Sequence, residues 1–192
     1  MSESTNLVIL IGSPRKNGNS AFLSARAADA ARDAGASVET VFLHDLDVRP
    51  CVGCHVCRES VDAECILDDG MTDLYPKLRA ADAILIATPI YSYDMTAQTK
   101  LLIDRLYALG SKSGNALSGK RFGFIVVYGD REPFGAGAAT AMRCFCDTFA
   151  RKASWIRTVH GTAYDEGDAA KNARLVRDAT DLGADLVGTT SY

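Results

Sequence analysis

Long apolar runs and blocks of basic residues are both missing from this sequence of 192 residues. Near the amino terminus the apolar run covers only Leu7 to Ile11, and no basic segment precedes it. That run is too short for a signal peptide or a membrane-spanning helix. The formal net charge is −3, and no cluster of lysine and arginine indicates nucleic-acid binding. We therefore expect a cytoplasmic protein that binds neither membranes nor nucleic acids.

The sequence also has few of the residue patterns that acid–base and nucleophilic catalysis require. Its three histidines, His44, His55 and His160, are scattered, and there is no nucleophile elbow and no pair of catalytic carboxylates. The Gly-x-Gly-x-x-Gly motif of dinucleotide-binding folds and the Gly-Lys-Ser/Thr motif of nucleoside triphosphatases are absent as well. We predict no catalytic acid, base or nucleophile, and expect any chemistry to come from a bound cofactor.

What the sequence does contain is a regular alternation of short apolar strands and helical segments. Hydrophobic residues make up 47% and charged residues 23%, which is ordinary for a globular protein, and we assign residues 1–192 to a single domain. The first, third and fourth strands are almost continuously apolar, as in strands buried on both faces, whereas the second and fifth alternate as edge strands do. This pattern predicts a doubly wound α/β fold, a five-stranded parallel sheet with helices on both faces. The predicted strands are Leu7–Ile11, Val38–Leu43, Ala83–Thr88, Arg121–Tyr128 and Trp155–Gly161.

One insertion interrupts this alternation. After the second strand, residues 43–70 show no clear periodicity, and a loop of that length inside a compact domain is usually functional. In the cytoplasm thiols stay reduced, so the cysteines clustered in this insertion indicate a metal site or catalysis rather than disulfides. Two further cysteines, Cys144 and Cys146, are expected to be small apolar residues on different faces of a helix. The insertion contains, with the spacing Cys-x2-Cys-x2-Cys-x7-Cys, the four residues Cys51, Cys54, Cys57 and Cys65.

A polar loop with the sequence GSPRKNGNS follows the first strand directly, from Gly12 to Ser20. In open α/β sheets ligands bind beyond the carboxyl ends of the strands, where a loop that enters a helix presents backbone N–H groups and the positive end of the helix dipole. Such a loop is predicted to bind a phosphate monoester, and the alternative is an ordinary solvated turn. The predicted phosphate-binding residues are Ser13, Arg15, Asn17, Asn19 and Ser20.

This loop resembles the FMN phosphate loop of the NADPH-dependent FMN reductase family, which has a flavodoxin-like fold. A second stretch, ATPIYSYDMTAQTKLLIDRLY, is similar to that family's Pro-x-Tyr flavin loop and the helix after it. Together with the cysteine segment and CILDDGM, the pattern resembles the iron–sulfur flavoprotein branch, over about residues 7–107. We expect a third loop, 128–137, to close the pocket at Gly129, while Tyr93 either stacks on the flavin or packs at the rim. The resemblance implies bound FMN whose isoalloxazine ring lies along Pro89, Ile90, Tyr91 and Ser92.

For Cys51, Cys54, Cys57 and Cys65 the resemblance implies a 4Fe–4S cluster. Three cysteines at intervals of three let one short loop wrap a cubane, and a fourth, more distant one completes the ligand set. Zinc sites more often use two separated Cys-x2-Cys pairs. No proline follows Cys65, and the gap before it is long for the branch. Zinc binding and redox-active thiols without a cluster therefore stay open as alternatives.

The implied function is that of an NAD(P)H-dependent, FMN reductase-like oxidoreductase that transfers electrons. We expect NAD(P)H or a ferredoxin-like protein as the electron donor, and a quinone, dioxygen, another small molecule or a carrier protein as the acceptor. The alternative is a non-enzymatic redox-sensing or zinc-binding protein that uses the cysteine segment. Relatives use the helix corresponding to Thr96–Leu109 in dimers, which implies a homodimer or homotetramer, unless this helix packs only on its own sheet. The helix presents the leucines Leu101, Leu102, Leu106 and Leu109.

Overall fold

The computed structural model describes residues 4–59, 64–110, 114–130, 135–150 and 153–188. Strands and helices alternate along the chain almost as the apolar pattern predicts. The strands are β1 (Asn6–Ile11), β2 (Ser37–Phe42), β3 (Ala83–Tyr91), β4 (Asp94–Met95), β5 (Arg121–Tyr128) and β6 (Ser154–Thr162). The helices are α1 (Asn19–Asp33), α2 (Gly70–Ala80), α3 (Ala97–Arg105), α4 (Ala136–Cys144), α5 (Asp168–Lys171) and α6 (Ala173–Val187).

The predicted five-stranded parallel sheet is confirmed. Its strand order is β2-β1-β3-β5-β6, so β2 and β6 are the edge strands, as their alternating sequences indicate. Counting parallel strands only, this is the 2-1-3-4-5 order of flavodoxin-like folds. The order in which strands are added to the sheet reverses between β1 and β3, and this place is the reversal point. A two-residue strand that the sequence did not predict, β4, pairs antiparallel with the end of β3.

Both faces of the sheet are covered, because the central strands are apolar at nearly every position. In β1, Leu7 and Ile9 pack in the core layer beneath α1 and α6. Val8, between them, points into the opposite layer beneath α2 and α3. Helices α1 and α6 approach so closely that a Cβ atom on Gly183 would lie 2.1 Å from the carbonyl oxygen of Ala27. Only glycine allows this helix pair to pack at that distance.

The cysteine-rich insertion lies between the end of β2 and the start of α2. Its described residues, 43–59 and 64–69, form two single-turn 3-10 helices, Leu43–Asp45 and Val56–Arg58. The insertion ends at Asp69, whose side chain accepts a hydrogen bond of 3.0 Å from Met71 N and caps α2. That residues 1–192 form a single domain stays a prediction. None of the helices in the described ranges is long and apolar enough to cross a membrane.

The helix predicted over Thr96–Leu109 consists of α3 followed by a 3-10 turn, Leu106–Leu109. Its leucines do not form an exposed stripe. Leu102, Leu106 and Leu109 are buried in the protein's own core, and only Leu101 of the four is partly exposed. The alternative of a helix packed on its own sheet is therefore correct for three of these leucines.

Candidate cofactor sites

A cavity of about 400 Å³ opens where β1, β3, β5 and β6 end, at the reversal point of the strand order. Eight of the ten residues predicted from the sequence to bind a flavin line it, whereas Asn17 and Ser92 lie outside it. Of the predicted third loop, residues 131–134 lie outside the described residues, but Gly129 is part of the wall. The eight are Ser13, Arg15, Asn19, Ser20, Pro89, Ile90, Tyr91 and Gly129.

The phosphate loop turns sharply into α1. The hydroxyl of Ser13 accepts a hydrogen bond of 3.1 Å from Arg15 N, and Gly18 N donates to Arg15 O at 3.1 Å. Gly18 caps α1 without any side-chain hydrogen bond from the described residues, and the first turn of the helix carries no acidic residue. The first N–H groups of α1 therefore remain available to an anion. The exposed Arg15 adds a positive charge at the rim.

Buried hydroxyl groups lock this loop to the neighbouring strand, a feature that the sequence did not reveal. Thr96 Oγ1 donates to the carbonyl oxygen of Gly12 at 2.9 Å and lies 2.9 Å from Thr99 Oγ1. Thr96 N in turn donates to Thr88 Oγ1 at 3.2 Å. A Cβ atom on Gly12 would lie 1.9 Å from Thr99 Oγ1. The loop after β1, the end of β3 and the start of α3 thus form one unit.

The flavin loop after β3 is a tight hairpin. Tyr91 pairs with Asp94 across β3 and β4, and the two residues between them, Ser92 (φ 49°) and Tyr93 (φ 71°), both have left-handed backbone conformations. Two positive φ angles are typical of a two-residue hairpin turn. Non-glycine residues adopt such angles at a cost, and they often do so at functional sites. Ser92 and the exposed Tyr93 therefore form the tip of the turn, and Tyr91 is the residue that the hairpin holds at the cavity.

Residues 163–166 form a fourth wall of the cavity that sequence reasoning missed, because no periodicity or motif marks the loop after β6. The side chain of Asn19 holds this wall. Its Nδ2 donates to the carbonyl oxygens of Ala163 (3.2 Å) and Asp165 (2.9 Å), and its Oδ1 accepts from Ala169 N at 3.0 Å. The amide of Asn19 is therefore occupied within the protein. Only its backbone N–H remains for the predicted phosphate.

Tyr164, in the same wall, packs over Gly129. A Cβ atom on Gly129 would lie 2.4 Å from Tyr164 Cδ2. The ring of Tyr164 is otherwise exposed. An aromatic side chain with one face on the cavity wall and the other in solvent is suited to contact a planar ligand.

A second cavity, of about 160 Å³, brings together the four cysteines of the insertion and the end of α3. Apart from Asp104 and Arg105, most of its walls are apolar or aromatic. The lining residues besides these two are Cys51, Val52, Gly53, Cys54, His55, Cys57, Cys65, Ile66, Leu67, Tyr107 and Ala108.

The backbone between the first three cysteines curves through two left-handed positions. Gly53 has φ 67° and His55 has φ 62°; the second is unusual because histidine pays a steric cost there. Cys57 lies deepest in the cavity. Burial raises the pKa of the Cys57 thiol, and the neighbouring thiols Cys65 and Cys54 raise it further. The loop thus gathers thiols so closely that their negative forms would repel one another unless a cationic group joined them.

One arginine lies across the base of the cysteine cavity. Arg105 Nη2 donates to Cys65 Sγ at 3.5 Å and to Asp69 Oδ1 at 3.1 Å, while Nη1 donates to Asp69 Oδ2 at 2.5 Å. Both side chains of this ion pair are only 1% exposed. Of the remaining cysteines, Cys146 is buried, and burial raises its pKa to about 12, whereas Cys144 is exposed. Cys146 is therefore the small apolar residue expected, but Cys144 is not buried.

Within the described residues, no three or more histidine, cysteine, aspartate or glutamate side chains converge tightly enough to bind one metal ion. A cubane cluster makes a different demand, because each of its four thiolate ligands binds a different iron atom. The observation that bears on a cluster is therefore the shared cavity of the four cysteines.

Comparison with known proteins gives consistent results. The sequence profile of the NADPH-dependent FMN reductase family matches residues 5–149. An iron-sulfur flavoprotein of Methanosarcina thermophila is 40% identical over 114 residues, which are 56% of this chain and 59% of that protein. The chain thus spans a little over half the length of that relative.

Two solved structures show the same fold. An NAD(P)H:quinone oxidoreductase from Methanothermobacter marburgensis has a TM-score of 0.72 at 16% identity and covers 99% of this chain, with 100% of its own chain aligned. The oxidised flavodoxin 1 of Bacillus cereus has a TM-score of 0.64 at 14% identity, with 97% and 100% covered. The flavodoxin-like fold expected from the sequence is therefore confirmed.

Proposed function

This chain belongs to the NADPH-dependent FMN reductase family, and on that basis we propose that it is an FMN-dependent oxidoreductase. The observation that carries the proposal is the cavity at the ends of β1, β3 and β5, into which the phosphate loop and the 89–91 segment both project. In flavodoxin, which has this strand order, FMN binds at the reversal point between the first and third strands.

The residues present fit FMN at both ends of the cavity. At one end, the uncapped start of α1 and the guanidinium of Arg15 match a terminal phosphate group, since both favour negative charge. At the other end, the backbone of Pro89, Ile90 and Tyr91 would lie along the isoalloxazine ring, with Gly129 and Tyr164 opposite. When bound, FMN supplies hydride and single-electron transfer, which the amino-acid side chains do not supply.

The protein's own part in this chemistry is to bind and orient the flavin. Backbone N–H groups held rigidly near the ring favour its anionic reduced form, because they need no reorganisation as charge develops. The hairpin at Ser92 and Tyr93 and the hydroxyl network around Thr96 supply that rigidity. That the cofactor, and not a side chain of the cavity, performs the redox step stays a prediction.

We further propose that Cys51, Cys54, Cys57 and Cys65 hold a 4Fe–4S cluster. Four thiols in one mostly apolar cavity match the all-thiolate ligand set of such a cluster. The hydrogen bond from Arg105 to Cys65 Sγ is of the kind that tunes a bound cluster. The relative from Methanosarcina thermophila is named an iron-sulfur flavoprotein, which agrees with this proposal.

Helix α3 connects the two proposed sites. At its start, Thr96 bonds the carbonyl of Gly12 beside the phosphate loop. At its end, Arg105 lies in the wall of the cysteine cavity. Nine helical residues at about 1.5 Å per residue separate these ends by roughly 13 Å. We propose that the residues near the two ends of α3 would hold FMN and the cluster, which would supply electron transfer, with NAD(P)H or a ferredoxin-like protein as donor and a quinone, dioxygen or carrier protein as acceptor.

The protein purified without oxygen and then reconstituted with FMN, iron and sulfide tests this proposal through its visible spectrum. Flavin bands with a broad sulfur-to-iron shoulder, and bleaching of the flavin by NADPH or NADH, are expected. Riboflavin, which lacks the phosphate, should bind more weakly than FMN. Flavin bands without iron would leave a simple reductase, and failure to bind FMN would favour a redox-sensing or zinc-binding protein.

We also propose a homo-oligomer, through the outer side of α3 and the neighbouring α4. A shallow groove there is lined by Ile103 and Tyr107 on one side and by Phe145 and Phe149 on the other. Since Leu102 and its buried neighbours are unavailable, and Phe145 is buried as well, a second copy would contact the partly exposed Ile103, Tyr107 and Phe149 of this groove. Light scattering on the purified protein should give a mass of two or four chains.

A further inference from the structure

We propose that Arg105 is a positioning residue for the cysteine site. It fastens both ends of the cysteine segment to α3, and it donates a hydrogen bond to Cys65 that raises the reduction potential of the bound cluster. The second half of this inference rests on the proposed cluster, whereas the first half concerns the protein alone.

The acceptors of the Arg105 hydrogen bonds show how this residue fastens, that is, holds in place, both ends of the cysteine segment. Nη1 donates to the carbonyl oxygen of Arg49 at 2.8 Å, just before the first cysteine, and to Asp69 at the end of the segment. Asp69 also accepts from Arg49 N at 3.0 Å. Tyr75 donates its hydroxyl to the carbonyl oxygen of Arg105 at 3.0 Å, which ties α2 to the same point. One guanidinium therefore joins the entry to the segment, its exit and the helix that carries the arginine.

Burying an arginine side chain fully costs desolvation free energy, so the burial of Arg105 needs a physical reason. Charged side chains are almost never fully buried unless they are paired, and an apolar residue of similar volume is often more stabilising than a buried ion pair. Arg105 has, in addition, an Nε atom without a hydrogen-bond partner among the described residues. Arg105 lines the cavity of thiols while it is paired with Asp69, so the residues that its burial serves are those of the cysteine segment.

The effect on the cluster follows from charge. A cubane with four thiolate ligands is negative, and it becomes more negative when it is reduced. A hydrogen bond to one thiolate sulfur withdraws charge from it and therefore favours the reduced form. Arg105 is placed for this bond, since Nη2 already lies 3.5 Å from Cys65 Sγ while the bidentate pair with Asp69 holds the guanidinium plane fixed. Removing the bond should lower the reduction potential of the cluster.

The main test compares Arg105→Lys with Arg174→Lys. Lysine keeps the charge of Arg105 but cannot bond Asp69 and Cys65 together from one planar group. Arg174 makes an exposed ion pair with Asp178 on α6, so it undergoes the same chemical change away from the cysteine cavity. At a given potential, we expect the ratio of reduced to oxidised cluster to be lower in Arg105→Lys than in wild type, on the order of tenfold. For one electron this corresponds to a fall of about 59 mV in the reduction potential. FMN content should stay at the wild-type level in both variants.

The fastening role is tested separately, on FMN-loaded protein prepared without iron. Trypsin cleavage after Arg58, inside the segment, should become on the order of tenfold faster in Arg105→Lys, because local opening of the segment exposes the chain. The double variant Arg105→Met/Asp69→Asn removes both charges together and leaves neither unpaired in the interior. With FMN still bound, the double variant should be cleaved faster by trypsin and, after reconstitution with iron and sulfide, should have the lower cluster potential.

The outcomes separate this inference from the proposed function. Equal cluster potentials in wild type and both Arg105 variants would overturn the electronic role, and equal cleavage rates would overturn the fastening role. A wild-type protein that binds FMN but no iron after reconstitution would overturn the cluster and the electronic role together. The cleavage rates would then still decide whether Arg105 fastens the segment.

Discussion

The cavity proposed to bind FMN, here called the flavin cavity, and the cavity of the four cysteines, the cysteine cavity, are built in different ways. The flavin cavity lies at the carboxyl ends of parallel strands, so that the sheet itself brings its walls together. The cysteine cavity lies in a segment whose described residues contain only two 3-10 turns, and a buried arginine, Arg105, holds that segment in place. A site made by the sheet persists as long as the fold does, whereas a site made by an insertion depends on a few particular side chains.

The two cavities also differ in their chemistry. The flavin cavity is lined by the uncapped N–H groups at the start of α1 and by the exposed Arg15. These groups are suited to bind a hydrated anion. The cysteine cavity is lined largely by apolar side chains, of which Val52 and Ile66 are themselves exposed, and its thiols suit the all-thiolate ligand set of a cluster near the surface. A substitution in one cavity should therefore leave the cofactor of the other cavity bound. The following predictions test that independence.

The largest effect is expected from the cysteines. Replacing any one of Cys51, Cys54, Cys57 and Cys65 by alanine should remove most of the iron and acid-labile sulfide, because a cubane that lacks one thiolate exposes an iron atom to water. FMN content should not change. Metal and sulfide assays on anaerobically reconstituted variants measure this, with the exposed Cys144→Ala as the control. If only three of the four were required, Cys65, which follows the longest gap, would leave the ligand set.

The next effect concerns the phosphate loop. Arg15→Ala should weaken FMN binding about ten- to a hundredfold, since a charge-assisted hydrogen bond contributes roughly 1.5–3 kcal/mol. Fluorescence titration of the flavin-free protein gives the dissociation constant. Lys16→Ala is the matched control, because Lys16 pairs with Asp45 and does not line the cavity. Equal losses in the two variants would mean that Arg15 acts only through overall charge, and the iron content should be unaffected in both.

A smaller effect is expected at Gly129. The added methyl group of Gly129→Ala would lie 2.4 Å from Tyr164 Cδ2 and would displace that ring from the wall. Since Tyr164 is exposed and free to move outward, we expect a loss in FMN affinity of about fivefold, on the order of 1 kcal/mol, with little change in stability. Gly137→Ala serves as control, because among the described residues its added methyl group would meet no atom within 4 Å outside its own stretch of helix. An unchanged flavin affinity in Gly129→Ala would remove Tyr164 from the site.

The smallest effect is a change in acid stability at the cysteine site. Burial by itself raises the pKa of Asp69, but hydrogen bonds from Arg105, Arg49 and Met71 outweigh it and leave the pKa below its ordinary value. Such a carboxylate stabilises the fold above its unfolded pKa of about 4, and the contribution is lost as the pH falls through the folded value. The difference in Tm between wild type and Asp69→Asn should therefore narrow between pH 5 and pH 2.

Thermal unfolding across that range measures the effect of Asp69. The exposed Asp29→Asn, which removes a surface ion pair with Arg26, should differ little from wild type at any of these pH values. A Tm difference for Asp69→Asn that stays constant down to pH 2 would show that the Asp69–Arg105 pair does not titrate with unfolding.

Much of the flavin cavity could be predicted from the sequence. A loop between an apolar strand and a helix must lie at the carboxyl edge of a parallel sheet, so the sequence placed Ser13, Arg15 and Ser20 at the cavity correctly. That they bind a phosphate stays a prediction. Asn19 lines the same cavity, but its side-chain amide, which the sequence had suggested for a phosphate, donates to the loop after β6 and is not free for one. The loop after β6, which carries Tyr164, shows no motif or periodicity in the sequence. It reaches the cavity through hydrogen bonds to Asn19, which lies 144 to 146 positions away.

The sequence by itself determined the fold and the position of the flavin cavity. Apolar strands that alternate with helices have few ways to bury both faces of a sheet, and local patterns express that constraint. Only the tertiary structure decided how the cysteine segment is held. An irregular loop has no periodic pattern, so the pairing of Arg105 with Asp69, 36 residues apart, depends on side chains that meet after the sheet has formed.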